Sequence, residues 1–199
     1  MTIVRDPLTQ DANRIDAKGR QITRGFTESE GVYETSLGNS YNSNTGNITL
    51  TSASESAIAY LKNAEPYDMV IASTFVITGT STSGVGNAYV TIERNPTAGT
   101  IVSNATAGDV LTNRNFGSSN TLTSLFYKGA EGYTLTGSDG DVLRSIMQAT
   151  NRVAYEMGSI FLPRGASIGV LFTPPASNTS MVVQVAFQFF LETVQTPGS

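Results

Sequence analysis

The chain has 199 residues, 39% hydrophobic and only 14% charged, with a net charge of −4 and neither cysteine nor histidine. The missing cysteine and histidine exclude disulfides, thiolate or imidazole metal sites, and Ser-His-Asp or Cys-His catalysis. The charge content is well below the roughly 25% of an ordinary domain; with Ser, Thr, Asn and Gly in its place, it fits one turn-rich β domain with a sizeable core.

The first ten residues, MTIVRDPLTQ, lack an apolar signal region, and no apolar run nears the roughly 18 residues of a membrane span, so no membrane partner is expected. Residues 1–47 hold scattered apolar residues (Ile15, Ile22, Phe26, Val32, Tyr33, Leu37) without periodicity, and "DAKGR" and "LGNSYNSNTGN" are turn chemistry. A helix over "TESEGVYET" is interrupted by Gly31. Such a segment buries too little surface to fold alone, which predicts an extended N-terminal arm over 1–47. Residues 1–24 carry five basic and three acidic residues (net +2), against seven basic and thirteen acidic in the remainder (net −6). A basic front on an acidic body suits an arm that touches an acidic partner surface.

From Asn47 onward the pattern is β. "NITLTSA" alternates, "AIAYLKN" follows, and "MVIASTFVITGT" suits a strand covered on both faces. "SGVGN" (83–87) reads as a hairpin loop and not a phosphate loop, because no Gly-Lys-Ser/Thr follows. "AYVTIERN" sends Ala88, Val90 and Ile92 one way and Tyr89, Thr91 and Glu93 the other. Residues 100–120 read as a long excursion with little regular structure, and "TLTSLFYKG" as a strand. "DVLRSIMQAT" puts Val142, Leu143, Ile146 and Met147 at helical spacing behind a possible Asp141 N-cap, with a short strand as the alternative. "GASIGVLFTPP" alternates again, and Pro174 and Pro175 end it. "SMVVQVAFQFFLE" puts Met181, Val183, Val185, Phe187, Phe189 and Leu191 on one face in strict alternation, which fixes register strongly. About eight strands with turns between them and no alternating helices predict an all-β antiparallel sandwich over 48–192, followed by a tail at 193–199. A jelly roll is the expected topology, although the pattern does not separate it from another Greek-key sandwich.

Candidate chemistry is sparse. Asp139 and Asp141 in "TGSDGD" have D-x-D spacing in a Gly-rich loop, but the longer calcium-loop pattern is absent. The sixteen acidic residues are scattered, so no carboxylate pair for glycoside hydrolysis stands out. No basic-aromatic cluster marks a nucleic-acid surface, and none is expected. Phe116 in "NRNFGSSNT" reads either as an exposed anchor or as a plug over the end of the sandwich.

Several stretches resemble a group of tailed-bacteriophage virion structural proteins: "RNPTAGTIV", "NRNFGSSNTL", "YKGAEGYTLTG", "LPRGASIGVLFTPPASNTSM", "VAFQFFLE" and the leader "DAKGRQITRGFTESE". The resemblance implies a non-enzymatic structural protein of the virion, assembled in the host cytoplasm, with no cofactor and no metal. Within the particle, a polar arm on a β head suits a capsid decoration or cement protein. Such a protein is expected to bind the major capsid protein and to be a homotrimer at threefold positions. Its expected contact residues are Arg14, Lys18, Arg20 and Arg24 with the apolar pegs Ile15, Ile22, Phe26 and Tyr33. The alternative is a head-fibre, tail-fibre or adhesin module that binds a host glycan through loops near Phe116, Asn120 and Tyr133.

Overall fold

The computed structural model describes residues 4–5, 12–15, 21–22, 30–79, 86–148, 160–177 and 180–192. The chain divides into two compact units, Met1–Glu30 and Gly31–Ser199.

In the first unit, β1 (Val4–Arg5), β2 (Ala12–Ile15) and β3 (Gln21–Ile22) form an antiparallel sheet in that order. Val4 lies opposite Asn13, and Arg14 opposite Ile22. The backbone expected to be extended is therefore paired locally, in strands of two to four residues.

The second unit follows from α1 (Glu30–Ser36) through β4 (Ser40–Asn44), β5 (Ile48–Leu50), β6 (Ser56–Lys62), β7 (Asp68–Thr78) and β8 (Asn87–Arg94). Next come α2 (Thr100–Asn104), β9 (Asp109–Asn113), β10 (Leu125–Lys128), β11 (Asp141–Gln148), β12 (Ile160–Leu162), β13 (Ser167–Thr173) and β14 (Met181–Glu192). One sheet has the order β10-β6-β13-β8-β11. The other has β12-β7-β14-β4-β9, with β5 also paired to β14. Every pairing is antiparallel. The expected all-β sandwich is thus the observed architecture, and among the described residues no helix is long and apolar enough to cross a membrane.

β14 is the axis of its sheet. It pairs with β7 along nearly its whole length on one edge, and with β4 and β5 on the other. Met181, Val183, Val185, Phe187, Phe189 and Leu191 are all buried, as their alternation predicts. They meet Val90, Ile92, Ile168, Val170 and Phe172 from the other sheet in one continuous core. Phe187 meets Phe126 of β10 edge to face, centroids 6.1 Å apart and planes at 87°, the geometry the ring quadrupoles favour. A second, smaller cluster lies on the other face of the five-stranded sheet, where Ile101 of α2 and Leu135 cover Ala57, Tyr60 and Leu171. Gly169 lies beneath that cover, where a Cβ would come within 2.3 Å of Leu135 Cδ1 and make that side chain move.

Several expectations need correction. The boundary drawn at residue 47 falls inside the sandwich. Ser40–Asn44 pairs with β14, and Tyr41 stacks on Phe189 at 5.9 Å. Only one apolar residue marks this strand, because Ser40 and Ser43 fill the other buried positions. Gly31 does not break α1, and it lies against the Phe190 ring of β14, where a Cβ would make an ordinary van der Waals contact at 3.6 Å. "DVLRSIMQ" is the strand β11 and not a helix, held by seven register pairs to β8. "SGVGN" does not join a hairpin. β7 already has β12 and β14 on its two edges, so β8 joins the opposite sheet; residues 81–85 lie outside the described residues. The excursion at 100–120 contains α2 and β9. The tail at 193–199 lies outside the described residues.

Because Phe187 is fully buried and packs between the layers, Phe187→Ala is expected to lower unfolding stability by about 3–5 kcal/mol in denaturant titration. A loss below about 1 kcal/mol would contradict this packing.

Candidate functional site

The most exposed large apolar side chain among the described residues is Phe116, at 97%. Its loop is built from asparagines. α1 ends in a Schellman turn: Gly38 has φ +79°, its N–H donates to the Thr35 carbonyl (3.0 Å), and the Asn39 N–H donates to that of Glu34 (2.8 Å). This leaves the last carbonyls of the helix and turn without backbone donors. The Phe116 loop supplies side-chain amides instead. Asn115 Nδ2 donates to the Ser36 carbonyl (3.0 Å), Asn120 Nδ2 to that of Leu37 (3.3 Å) and Asn113 Nδ2 to that of Gly38 (2.7 Å).

The same residues hold the loop to itself. Asn113 Oδ1 accepts the Asn115 N–H (2.8 Å), and Asn115 Oδ1 accepts the Gly117 N–H (3.0 Å). The Arg114 N–H donates to the Ser40 carbonyl (2.8 Å), which ties the loop to β4. Gly38 is needed twice over: for its left-handed φ, and because a Cβ there would strike Ser118 Oγ at 2.2 Å. Phe116 therefore stands in solvent on a loop that is already ordered. Val32 and Tyr33 of α1 and Leu37 just after it are also exposed, and the loop is fastened to that helix's last turn. A pre-ordered aromatic loses little conformational entropy when a partner covers it, which is the chemistry of an interface anchor.

The structure accounts for the expected contact residues unevenly. Tyr33 is on α1 and 43% exposed. Arg14 and Ile15 are on β2 and Ile22 on β3. Lys18, Arg20, Arg24 and Phe26 lie outside the described residues. The group Phe116, Asn120 and Tyr133 does not come together as a glycan site. Asn120 spends its amide on α1, and Tyr133 packs against the cluster of Ala57, Tyr60 and Leu135 on the five-stranded sheet.

Asp139 and Asp141 also part company. Asp139 Oδ2 accepts from Asn95 Nδ2 (2.9 Å), whereas Asp141 lies opposite Glu93 across the β11–β8 pair. Among the described residues no group of three or more acidic side chains is placed to hold a metal ion. Burial, then the nearby Asp141 and Glu55 carboxylates, push the Glu93 carboxyl above its ordinary value, against a hydrogen bond from Ser138. Glu93 Oε2 is buried without a hydrogen-bond partner among the described residues. Sequence reading missed this cluster because Glu93 and Asp141 become neighbours only once β11 is a strand.

Two outcomes follow from these contacts. Asn113→Ala removes one amide donor and one carbonyl acceptor. It should cost about 1–3 kcal/mol and speed hydrogen exchange at the Asn115 and Gly117 amides; unchanged exchange would show that the loop is held otherwise. Because folding raises the Glu93 pKa, the folded state binds that proton more tightly. The resulting penalty is absent below the ordinary carboxylate range and grows as pH rises through the raised value. Glu93→Gln should therefore stabilise the protein at neutral pH and give no gain in acid; a gain of equal size at both would contradict this assignment. Comparison with protein-family models, curated proteins and solved structures finds no match to this chain, so its function has to be read from its residues and their geometry.

Proposed function

We propose that the protein is a structural component of a tailed-bacteriophage particle, a capsid decoration or cement protein that grips the outer shell and stabilises the head. The observation that carries this reading is the division of the chain. A β-sandwich with a continuous core begins at Gly31, and a separate unit of short strands precedes it. Strands of two to four residues in so small a sheet are marginal in water, so the first unit gains its stability from what it docks on. In that docking Arg14, Lys18, Arg20 and Arg24 meet acidic groups of the major capsid protein, and Ile15, Ile22, Phe26 and Tyr33 fill apolar recesses. On the sandwich unit, the exposed Val32, Leu37 and Phe116 offer the shell an apolar contact of their own. Each contact is weak, and a homotrimer at a threefold position multiplies them.

The strand order supports a jelly-roll topology for the head. With β5, β9 and β10 set aside, the remaining eight strands, numbered along the chain, lie 1-8-3-6 in one sheet and 2-7-4-5 in the other. No catalytic role is proposed. A second reading, a head-fibre, tail-fibre or adhesin module, is favoured by the exposure of Phe116, which suits an aromatic platform for a partner.

Two measurements separate these readings. Free protein is expected to be cut by trypsin at Arg14, Lys18, Arg20 and Arg24, and particle-bound protein to be protected there. A variant lacking residues 1–30 is expected to lose capsid occupancy while keeping the unfolding transition of the sandwich. Wild-type occupancy by that variant would overturn the decoration role.

A further inference from the structure

An open cleft of about 640 Å³ lies where the end of β8, the start of β11 and the β12–β13 turn meet. Its size is within the roughly 300–1,000 Å³ of small-ligand sites. We propose that it binds a sugar acid, a pyranose carrying one carboxylate such as a uronic or sialic acid residue. This site is separate from shell docking and does not rest on the decoration role.

Three kinds of group line the cleft, and each selects part of that ligand. The first is a pair of cations, Arg94 and Arg164. Lys62, Arg94, Arg114, Lys128, Arg144 and Arg164 are the basic side chains of the described sandwich, and two of them face one cleft on a chain of net charge −4. Among the described residues neither guanidinium has a hydrogen-bond or ion-pair partner, so both keep donors free for a carboxylate.

The second kind is a set of polar groups held in fixed positions. Asp139 accepts the Asn95 amide through Oδ2, and its N–H donates to the Arg94 carbonyl (2.8 Å). Among the described residues Oδ1 has no hydrogen-bond partner. Asn95 itself has φ +50°, a conformation uncommon outside glycine but tolerated by asparagine. Its N–H donates to the Ser167 carbonyl (2.9 Å) and its Oδ1 accepts the Ser167 N–H (3.2 Å), which fixes that corner. Non-glycine residues in such conformations persist where the surroundings over-determine them, often at ligand sites. A carboxylate acceptor beside two arginines disfavours phosphate and other compact dianions. It favours a ligand with one negative charge and hydroxyl donors, and the Thr97 hydroxyl adds a further polar group.

The third kind is apolar. Phe161 is 60% exposed, and Val142 and Pro163 stand beside it on the lining. The C–H face of a pyranose covers such a surface while its hydroxyls stay at the rim. An acidic peptide offers the carboxylate without the ring face or the hydroxyls.

The test uses the full chain with labelled methyl groups, titrated with glucuronic acid and N-acetylneuraminic acid while the Val142 and Ile160 methyl resonances are followed. Glucose, inorganic phosphate and a glutamate-rich peptide are the comparison ligands. At least one acid should shift both methyl groups, and the comparison ligands should bind at least about tenfold more weakly, equivalent to about 1.4 kcal/mol. Arg94→Gln and Arg164→Gln should each weaken the binding acid by about tenfold or more, with the thermal transition unchanged. Phe161→Ala should weaken it with the charge pair intact. An oligosaccharide ending in the same acid distinguishes the sources: equal binding assigns the site to a glycan end, and loss of binding assigns it to the free sugar acid. No shift from either acid, equal shifts from glucose or phosphate, tighter binding of the peptide, or full binding by both arginine variants would overturn the proposal.

Discussion

The position of β14 between the two edges it pairs is the constraint on which the rest of the sandwich depends. Six apolar side chains on one face leave it a single register, because a slip by one residue would expose them all. That register fixes β7 on one side and β4 on the other. It also sends Phe187 across the core to Phe126. On its outer face it leaves Phe190 buried, with Gly31 of α1 against the ring. The end of α1 and the turn after it present their carbonyls to Asn113, Asn115 and Asn120, and their loop holds Phe116 in solvent. A packing decision in one strand thus ends in the placement of the most exposed aromatic among the described residues.

Asparagine, serine and threonine do in this protein much of what charge pairs do elsewhere. Glu65 is nearly buried, and its Oε1 accepts from the backbone N–H and hydroxyl of both Thr123 and Ser124. Glu131 accepts from the Thr51 hydroxyl and from the Ser52 and Thr51 N–H groups, which hold its carboxyl below the ordinary value. In both, one carboxylate binds two successive residues of a distant loop. Such contacts fix loops through hydroxyl and backbone donors rather than through a basic partner, in a chain with few basic residues.

The strands legible in the sequence are those with an alternating or continuous apolar run: β5, β6, β7, β8, β10, β13 and β14. β4 was hidden because serine can occupy buried positions when its hydroxyl finds a backbone partner, as Ser43 Oγ does in accepting the Phe187 N–H (3.3 Å). β11 was ambiguous because Val142, Leu143, Ile146 and Met147 fit a helical spacing, and only β8 as a neighbour makes it a strand. For the candidate surface, Phe116 reads in the sequence as either an exposed anchor or a plug, and the asparagines around it read as loop formers and not as partners for a distant helix end. The cleft of Arg94 and Arg164 was not legible, since its walls come from segments on three sides of the fold. Sequence spacing carries no trace of such a meeting.

If the protein is the decoration protein proposed, each copy needs one site on the shell. The most direct test is to count the chain against the major capsid protein in purified particles, by quantitative mass spectrometry. A decoration role predicts a fixed ratio to the shell subunit, in the value set by occupancy of its threefold positions. A few copies per particle, independent of shell size, would contradict it and place the protein in a fibre or a tail.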